Sequence, residues 1–429
     1  MSIDKDLRDR LCVLFGISLD FLHFTLYGLF TYLFVDIFFP GLDEATQHTL
    51  VYSTSIMDIL SRIAGTLGFS YIGDKYGRAR SLKLAALFLI IPSFCIPFLP
   101  GYEKLGILAP IILLITRFFQ GFCCGADSSA GAVYLFESRI TAKYCITSLN
   151  GCAASLGILL ATAIAYVATF YFSKLELQHY GWRIGFLIVS AFSVLSFLMR
   201  LSINETDFFL DVKAKQSFSE NPLLLSVTRY YKELLLGMAL TYFPTTVFVF
   251  AFSYSYDYAR DFFDARITES YVSIMAILAL RIVIVPMVAL IADRIGGVKI
   301  FYASCICGIL SYYFFLAANE HLYLLMLFLG CISVLNTAVL PGILFRFIPQ
   351  EVRFTMTSII FCFSFLIFGG VVPYVSNLLI EIYKSIYVPA LYISITAVIT
   401  FFAATAIVLR GSNYFTYFSK QHLMENAEK

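Results

Sequence analysis

Charged residues lie deep inside long apolar segments of this 429-residue sequence, among them Asp20, Arg62, Asp127 and Arg281. A charge in the hydrocarbon interior of a membrane is energetically expensive unless it is paired or hydrated. Charged residues at such positions usually bind a solute or a proton, or pair with one another. These four positions therefore point either to transport chemistry or to buried ion pairs.

Arg62 and Arg281 occupy matching positions in the two halves of the sequence. Each precedes an aspartate, Asp74 or Asp293, by twelve residues, which is about 18 Å of helix rise and reaches the middle of a ~30 Å hydrocarbon core. A side chain at that depth snorkels poorly to the membrane surface. Because a guanidinium can hold a carboxylate through two parallel hydrogen bonds, both arginines are predicted to contact the solute. A structural ion pair is the alternative.

A polar stripe runs along the first apolar segment, where Asp20, His23, Tyr27 and Thr31 follow helical spacing. A buried carboxylate binds a proton more readily than an exposed one, so Asp20 is predicted to couple transport to protons. An ion pair between Asp20 and an arginine is the alternative, and one residue can serve both purposes. His23 and Tyr27 are predicted to contact the solute, against the alternative that His23 is a hydrogen-bonded core residue.

A second polar stripe lies on the fourth apolar segment. Arg117, Gln120 and Asp127 recur there at near-helical spacing, and Gly121 and Gly125 allow close approach of another helix. Gln120 is predicted to contact the solute. Asp127 is the second candidate for proton binding, with a structural Asp–Arg pair as the alternative.

A charged loop follows the second apolar segment, with the sequence Gly73-Asp74-Lys75-Tyr76-Gly77-Arg78. Its echo, Asp293-Arg294-Ile295-Gly296, follows the eighth segment. An aspartate can cap the N-terminus of a facing helix and pair with an arginine in one conformation only. These loops are therefore predicted to form a gate, and a basic topology anchor is the alternative.

Long apolar segments must position all these residues. The chain is 60% hydrophobic and 14% charged, whereas soluble domains average about 45–50% and 25%. Continuous apolar runs of about twenty residues fit membrane-spanning helices, while a membrane β-barrel has short alternating segments. The sequence therefore predicts an all-α integral membrane protein with twelve transmembrane helices. The predicted spans lie near residues 11–38, 51–72, 82–99, 108–136, 145–172, 183–201, 233–256, 268–291, 298–317, 322–345, 356–379 and 386–409.

The longest polar stretch divides the chain into two halves. We predict an N-terminal six-helix half (1–201), a cytoplasmic linker (202–232) and a C-terminal six-helix half with a short tail (233–429). With the N-terminus placed inside the cell, 21 Lys and Arg residues fall on the inner side and six on the outer side. Under the positive-inside rule both termini are then cytoplasmic. Parallel six-helix repeats are typical of transporters that bind their substrate at the midplane.

Other function classes find little support in the sequence. The ten cysteines show no CxxC pair and the five histidines no nearby HxxxH, so no metal site and no cofactor are predicted. Phosphate-binding loops and nucleophile motifs of enzymes are absent. A net charge of +2 without basic blocks gives no sign of nucleic-acid binding. The expected partners are a small solute, protons and the lipid bilayer, and the protein is expected to be a monomer.

Two segments resemble the signature motifs of the major facilitator superfamily. They are Gly73 through Arg78, with its echo at Asp293, and Arg117-Phe118-Phe119-Gln120-Gly121. More narrowly, the chain resembles the metabolite:proton symporter family, which includes proline/betaine, citrate, α-ketoglutarate and shikimate carriers. Supporting segments are Leu19-Asp20, Tyr27-Gly28, Gly181-Trp182-Arg183, Asn204-Glu205-Thr206 and Phe347 through Thr355. The resemblance covers about residues 15–375 and implies the major facilitator fold of two pseudo-symmetric six-helix halves.

Six positions depart from that family's usual pattern, including Gly297, where an arginine is common, and Ser70, which replaces the first glycine of the signature loop. Asp20 and Asp127 stand where the family usually has Glu, His23 where it has Asp, and Ile63 where it has Pro. The charge type is kept at positions 20 and 127 and lost at position 23. The resemblance implies proton-coupled symport of a small anionic or zwitterionic metabolite or compatible solute across the inner (plasma) membrane. The alternatives are an uncoupled facilitator or exporter of the same fold, and a solute sensor that does not transport.

Overall fold

The structure is a computed structural model of the chain. It describes residues 2–41, 44–125, 127–138, 142–206, 209–210, 221–254, 267–318 and 322–427. Helices make up nearly all of these ranges, because a chain inside a bilayer must satisfy every backbone N–H and C=O within the same segment.

Seven longer helices build the N-terminal half. They are α1 (Ser2–Phe38), α2 (Glu44–Tyr76), α3 (Arg78–Phe98), α4 (Leu108–Cys124), α5 (Asp127–Glu137), α6 (Lys143–Tyr171) and α7 (Trp182–Leu201). Helices α4 and α5 are two parts of one span, Leu108–Glu137. Short helices lie at Tyr102–Leu105 and Lys174–Glu176, and a π-helical turn at Leu177–Gly181 leads into α7.

Eight helices build the C-terminal half. They are α8 (Tyr231–Val249), α9 (Ile267–Ile295), α10 (Gly297–Ile309), α11 (Ser311–Ala318), α12 (Leu322–Phe347), α13 (Arg353–Ser364), α14 (Gly370–Tyr383) and α15 (Pro389–Ala427). Helices α10 and α11 meet at a bend of 51° and together have the length of one span. π-helical turns at Phe250–Tyr254 and Phe365–Gly369, a 3-10 turn at Gln350–Val352 and a short helix at Pro222–Thr228 complete the description.

Each of the twelve predicted spans coincides with helical structure. By length and apolar composition, ten described helices can cross a membrane, and the bent pair α10–α11 makes eleven. Helix α2 falls outside this set and is the most polar of the predicted spans, since it carries Asp58, Arg62, Asp74 and Lys75. It nevertheless packs inside the bundle, against α4 of its own half and α13 of the other.

The most extensive contacts between the two halves lie along two helix pairs. Helix α6 packs along α9, and α2 packs along α13. Within the N-terminal half, α4 lies very close to α2, because a Cβ atom on Gly121 would stand 2.3 Å from the carbonyl oxygen of Asp58. This approach, which the sequence predicted from the glycines, brings the charged side chains of α4 and α2 together.

Candidate functional site

A network of four charged side chains joins α1, α2 and α4. Arg62 donates from Nη1 to Asp20 Oδ1 at 2.9 Å and from Nε to Asp58 Oδ2 at 3.0 Å. Asp58 also forms an ion pair with Arg117, with 3.1 Å between Oδ1 and Nη2. All are buried except the Arg62 side chain, which is 21% exposed. Two carboxylates thus balance the charge of two guanidiniums, and Arg62 is the residue of the network whose side chain is partly exposed.

Sequence reasoning found three of these residues and missed Asp58. The alternative interpretation of Asp20 and Arg62, that they pair with each other, is the arrangement in this structure. A signal for Asp58 was present, because it precedes Arg62 by four residues and side chains at that spacing share one helix face.

His23, Gln120 and Tyr27 lie inside the N-terminal half rather than between the halves, and each is at most 1% exposed. Gln120 accepts a hydrogen bond from Arg117 Nη1, and its Nε2 lies 2.6 Å from His23 Nδ1. His23 Nε2 lies 3.0 Å from Ser193 Oγ. The Tyr27 ring stacks under Arg117, with Cζ 3.8 Å from the ring centroid. In this structure Gln120 and Tyr27 contact Arg117 and His23 contacts Gln120, and solute contact by these three residues stays a prediction.

Asp127 is held by Arg200, a residue that the sequence analysis did not single out. The guanidinium donates to both carboxylate oxygens, at 2.8 and 3.0 Å, and also to the carbonyl oxygen of Leu82. Arg200 is fully buried, and Gly16 of α1 provides its space, since a Cβ atom there would lie 1.6 Å from Nη2. This geometry supports the structural Asp–Arg pair over the proton-binding role.

Replacing Asp127 with Asn is expected to lower the melting temperature of the purified carrier in detergent. The change leaves Arg200 as an uncompensated buried charge, which destabilises a protein by about 3–5 kcal/mol. Asp127→Glu, which keeps the charge, is the matched control. A wild-type melting temperature in Asp127→Asn, combined with lost proton-driven uptake, would instead support proton binding at Asp127.

Arg281 of α9 differs from every other buried arginine described. Its Nη1 and Nη2 donate to the hydroxyls of Ser333 and Thr337, at 2.9 and 2.5 Å, and its Nε has no hydrogen-bond partner. Phe248 and Phe252 flank the guanidinium, with ring centroids 5.3 and 5.0 Å from Cζ. Within the described residues no carboxylate pairs with it, although it is only 3% exposed. A guanidinium without a charged partner has the chemistry to bind an anion.

A cluster of charges joins the halves at the end of the bundle that the charge bias predicts to be cytoplasmic. Asp74 pairs with Arg78 at 3.0 Å and accepts a hydrogen bond from the backbone N–H of Thr355, at the start of α13. Glu137 pairs with both Arg78 and Arg353, at 3.3 Å each. The aspartate of the first loop thus binds the N-terminus of a helix in the opposite half, where a negative charge is favoured.

The repeated loop makes the equivalent contact in the reverse direction. Asp293 accepts hydrogen bonds from the backbone N–H groups of Tyr144 and Cys145, at 3.0 and 2.9 Å, at the start of α6. Arg294, predicted as a gate residue, is exposed to solvent. Arg346 lies at this contact instead and donates to the Tyr144 hydroxyl at 3.1 Å. The gate role of Arg294 stays a prediction, and in this structure its side chain is exposed.

Glu205, just beyond α7, completes the first loop. It accepts hydrogen bonds from the backbone N–H groups of Arg78 and Ala79, at 3.0 and 3.1 Å. Burial raises the pKa of Glu205, and the charge of Arg78 opposes that rise. Gly77 between the helices has φ +127°, a conformation that favours glycine, and a Cβ atom there would lie 2.2 Å from the Glu205 carboxylate. Sequence reasoning included Gly77 and missed the role of Glu205.

Replacing Asp293 with Asn is expected to open this end of the bundle more often. Loss of a charge-assisted contact of about 1.5–3 kcal/mol should shift the open population roughly tenfold or more. The native Cys145, half-buried beside Asp293, reports opening through its rate of maleimide labelling, read by peptide mass spectrometry. Arg294→Gln, which changes the neighbouring exposed residue, is the control. Equal labelling rates in the two variants would contradict a gate at Asp293.

Comparison with known proteins places transporters among the proteins similar to this chain. The model of the family "Sugar (and other) transporter" matches residues 11–223. The chain is 24% identical over 403 residues to the proline/betaine transporter of Escherichia coli K12, covering 90% of this chain and 80% of that one. It is 25% identical over 400 residues to the glycine betaine/proline/ectoine/pipecolic acid transporter OusA of Dickeya dadantii, covering 90% and 79%.

Solved structures resemble the chain over almost its whole length. The proton:xylose symporter XylE of E. coli superposes with a TM-score of 0.74, at 15% identity and 96% coverage of both chains. The E. coli fucose:proton symporter FucP superposes with a TM-score of 0.70, at 14% identity, over 94% of this chain and 98% of that one.

The fold is therefore that of the major facilitator superfamily, with membrane helices in two pseudo-symmetric halves, which confirms the predicted fold class. The chain is a multi-span membrane protein, and over about nine-tenths of its length it is similar to proteins named as solute transporters.

Proposed function

We propose that this chain is a proton-coupled symporter that moves a small anionic or zwitterionic solute by alternating access. The observation that carries the proposal is Arg281, a buried guanidinium without an acidic partner among the described residues. A charge in this position is costly for the fold, and binding of a solute carboxylate compensates for it. The relatives named as transporters of betaine, proline, ectoine and pipecolic acid support a solute of this class.

The four-charge network in the N-terminal half supplies the coupling. Asp20 has one arginine partner, while Asp58 has two, so Asp20 is the carboxylate that loses its charge more readily. A proton on Asp20 leaves the network with one excess positive charge and frees the Nη1 donor of Arg62. Because the excess charge attracts an anion, the proton and the solute favour each other's binding.

The contacts between the halves support the proposal of alternating access. Asp74 and Asp293 each bind the N-terminus of a helix in the opposite half, so the predicted cytoplasmic end is closed in this structure. Breaking both contacts lets one half rock against the other and exposes the site to the cytoplasm. The protein acts as a monomer in the plasma membrane of a bacterial-type cell, with both termini in the cytoplasm.

Uptake into proteoliposomes tests the proposal. The panel holds proline, betaine, ectoine, citrate, α-ketoglutarate and shikimate, each with and without an inward proton gradient. Accumulation of one solute only with the gradient supports symport. Equal uptake under both conditions identifies an uncoupled facilitator, and binding without uptake or counterflow identifies a sensor.

A further inference from the structure

Asp58 is a fully buried carboxylate at the centre of the four-charge network. It lies one helical turn before Arg62 on α2 and contacts the guanidinium on its Nε edge. Its second oxygen faces Arg117 of α4, at a point where Gly121 lets the two helices approach closely. Two arginines from two helices therefore hold this one carboxylate.

We infer that Asp58 is a positioning residue for proton coupling, which holds Arg62 in place and supplies the fixed negative charge against which Asp20 gains and loses its proton. The inference rests on the proposed function, because it takes Asp20 as the proton carrier. Asp58 itself contacts neither the solute nor the proton.

The geometry of the guanidinium explains the role. Its five N–H donors lie in one plane with separate edges; Nε serves Asp58 and Nη1 serves Asp20. When Asp20 becomes neutral, Nη1 loses its charged partner while Nε stays bound to Asp58. The guanidinium then remains at mid-depth, rather than snorkelling toward the membrane surface, and its Nη1 group is free to donate a hydrogen bond to an anionic group of the solute.

The surroundings of Asp20 fix the direction of the expected effects. The titratable and charged groups around it are His23 on its own helix, Asp58 and Arg62 on α2, Arg117 and Cys124 on α4, Asp127 on α5 and Arg200 on α7. Helix α6 also packs there and brings Gly157 against the backbone of Ser18. The opposite charges of Asp127 and Arg200 compensate each other. The net charge around the Asp20–Arg62 pair is therefore determined by Asp58 and Arg117.

Infrared difference spectroscopy of the purified carrier across a pH series tests the inference without any solute. The protonated-carboxyl band that is missing from Asp20→Asn belongs to Asp20, and its midpoint is followed in the variants. In Asp58→Asn, Asp20 faces two guanidiniums alone, so the midpoint should fall by about one pH unit or more. In Arg117→Gln the midpoint should rise. In Asp58→Glu, which keeps the negative charge, the midpoint of the Asp20 band should lie close to the wild-type value.

The double variant Asp58→Asn/Arg117→Gln is the control for misfolding in the single variants, because it removes both partners of an ion pair and leaves no unpaired buried charge. Its midpoint should lie below that of Arg117→Gln and near the wild-type value. A local disturbance of packing would move both single variants in the same direction, which overturns the inference, as does an unchanged midpoint in Asp58→Asn. If wild-type Asp20 shows no titrating band at all, the proposed proton carrier fails first and the inference falls with it.

Discussion

Asp20→Asn is expected to abolish uphill uptake of the solute while exchange of solute across the membrane continues. An asparagine cannot bind a proton, so a proton gradient no longer drives accumulation. The same change resembles the protonated state electrically, since it leaves Arg62 bound to Asp58 and its Nη1 donor free. Solute binding and the exchange of the loaded carrier should therefore persist. Uptake under an inward proton gradient and counterflow at equal pH, in the same proteoliposomes, measure the two activities separately.

Asp36→Asn is the matched control for this experiment. Asp36 lies on the same helix α1, but its exposed carboxylate accepts a hydrogen bond from Gln178 at 2.8 Å, far from the four-charge network. This variant should accumulate solute as the wild type does. Continued uphill uptake by Asp20→Asn would show that the proton binds elsewhere. Loss of both uptake and exchange in a folded protein would assign Asp20 a structural role.

The fold was accessible from the sequence because the bilayer imposes it. A hydrocarbon core of fixed thickness demands apolar helices of fixed length, and so all predicted spans except that of α2 coincide with helices whose length and hydropathy suit a membrane crossing. The repeat of the Asp74 loop at Asp293 further indicated two related halves. Helix α2 shows the limit of composition, since its buried charges make it the most polar of the spans. The spacing of Arg62 and Asp74, which is the same as that of Arg281 and Asp293, indicated that the charges of α2 have a function.

The pairing within the site was not accessible in the same way. Depth along a helix can be counted from the sequence, but the partner of a charge depends on the rotation of each helix about its own axis. Arg62 and Arg281 are equivalent in sequence, yet Arg62 pairs with two carboxylates and Arg281 binds two hydroxyls. Arg200 escaped notice because it lies at the end of a span, where an arginine usually marks the membrane surface.

Arg281→Gln is expected to weaken solute binding by roughly 100-fold, since it removes a guanidinium able to hold a carboxylate with two charge-assisted hydrogen bonds. Lysine keeps the positive charge but lacks the planar guanidinium that can bind both carboxylate oxygens. The solute affinity of Arg281→Lys should therefore lie between those of the wild type and Arg281→Gln. The half-saturation concentration for solute in counterflow at equal pH measures this effect. Because no proton gradient is present, a defect in proton coupling does not change that value. Arg294→Gln, which removes an exposed arginine of the same helix, is the control.

The melting temperature of the same variants separates a binding group from a structural one. Arg281 has no acidic partner among the described residues, so its loss leaves no stranded carboxylate there, and Arg281→Gln should melt at or above the wild-type temperature. Asp127→Asn should melt well below it, because Arg200 loses its counter-charge. A destabilised Arg281→Gln with unchanged solute affinity would mean that Ser333 and Thr337 hold this arginine for the fold. Unchanged stability with weakened solute binding in Arg281→Gln would mean that the fold tolerates an uncompensated charge at Arg281 because the solute neutralises it during transport.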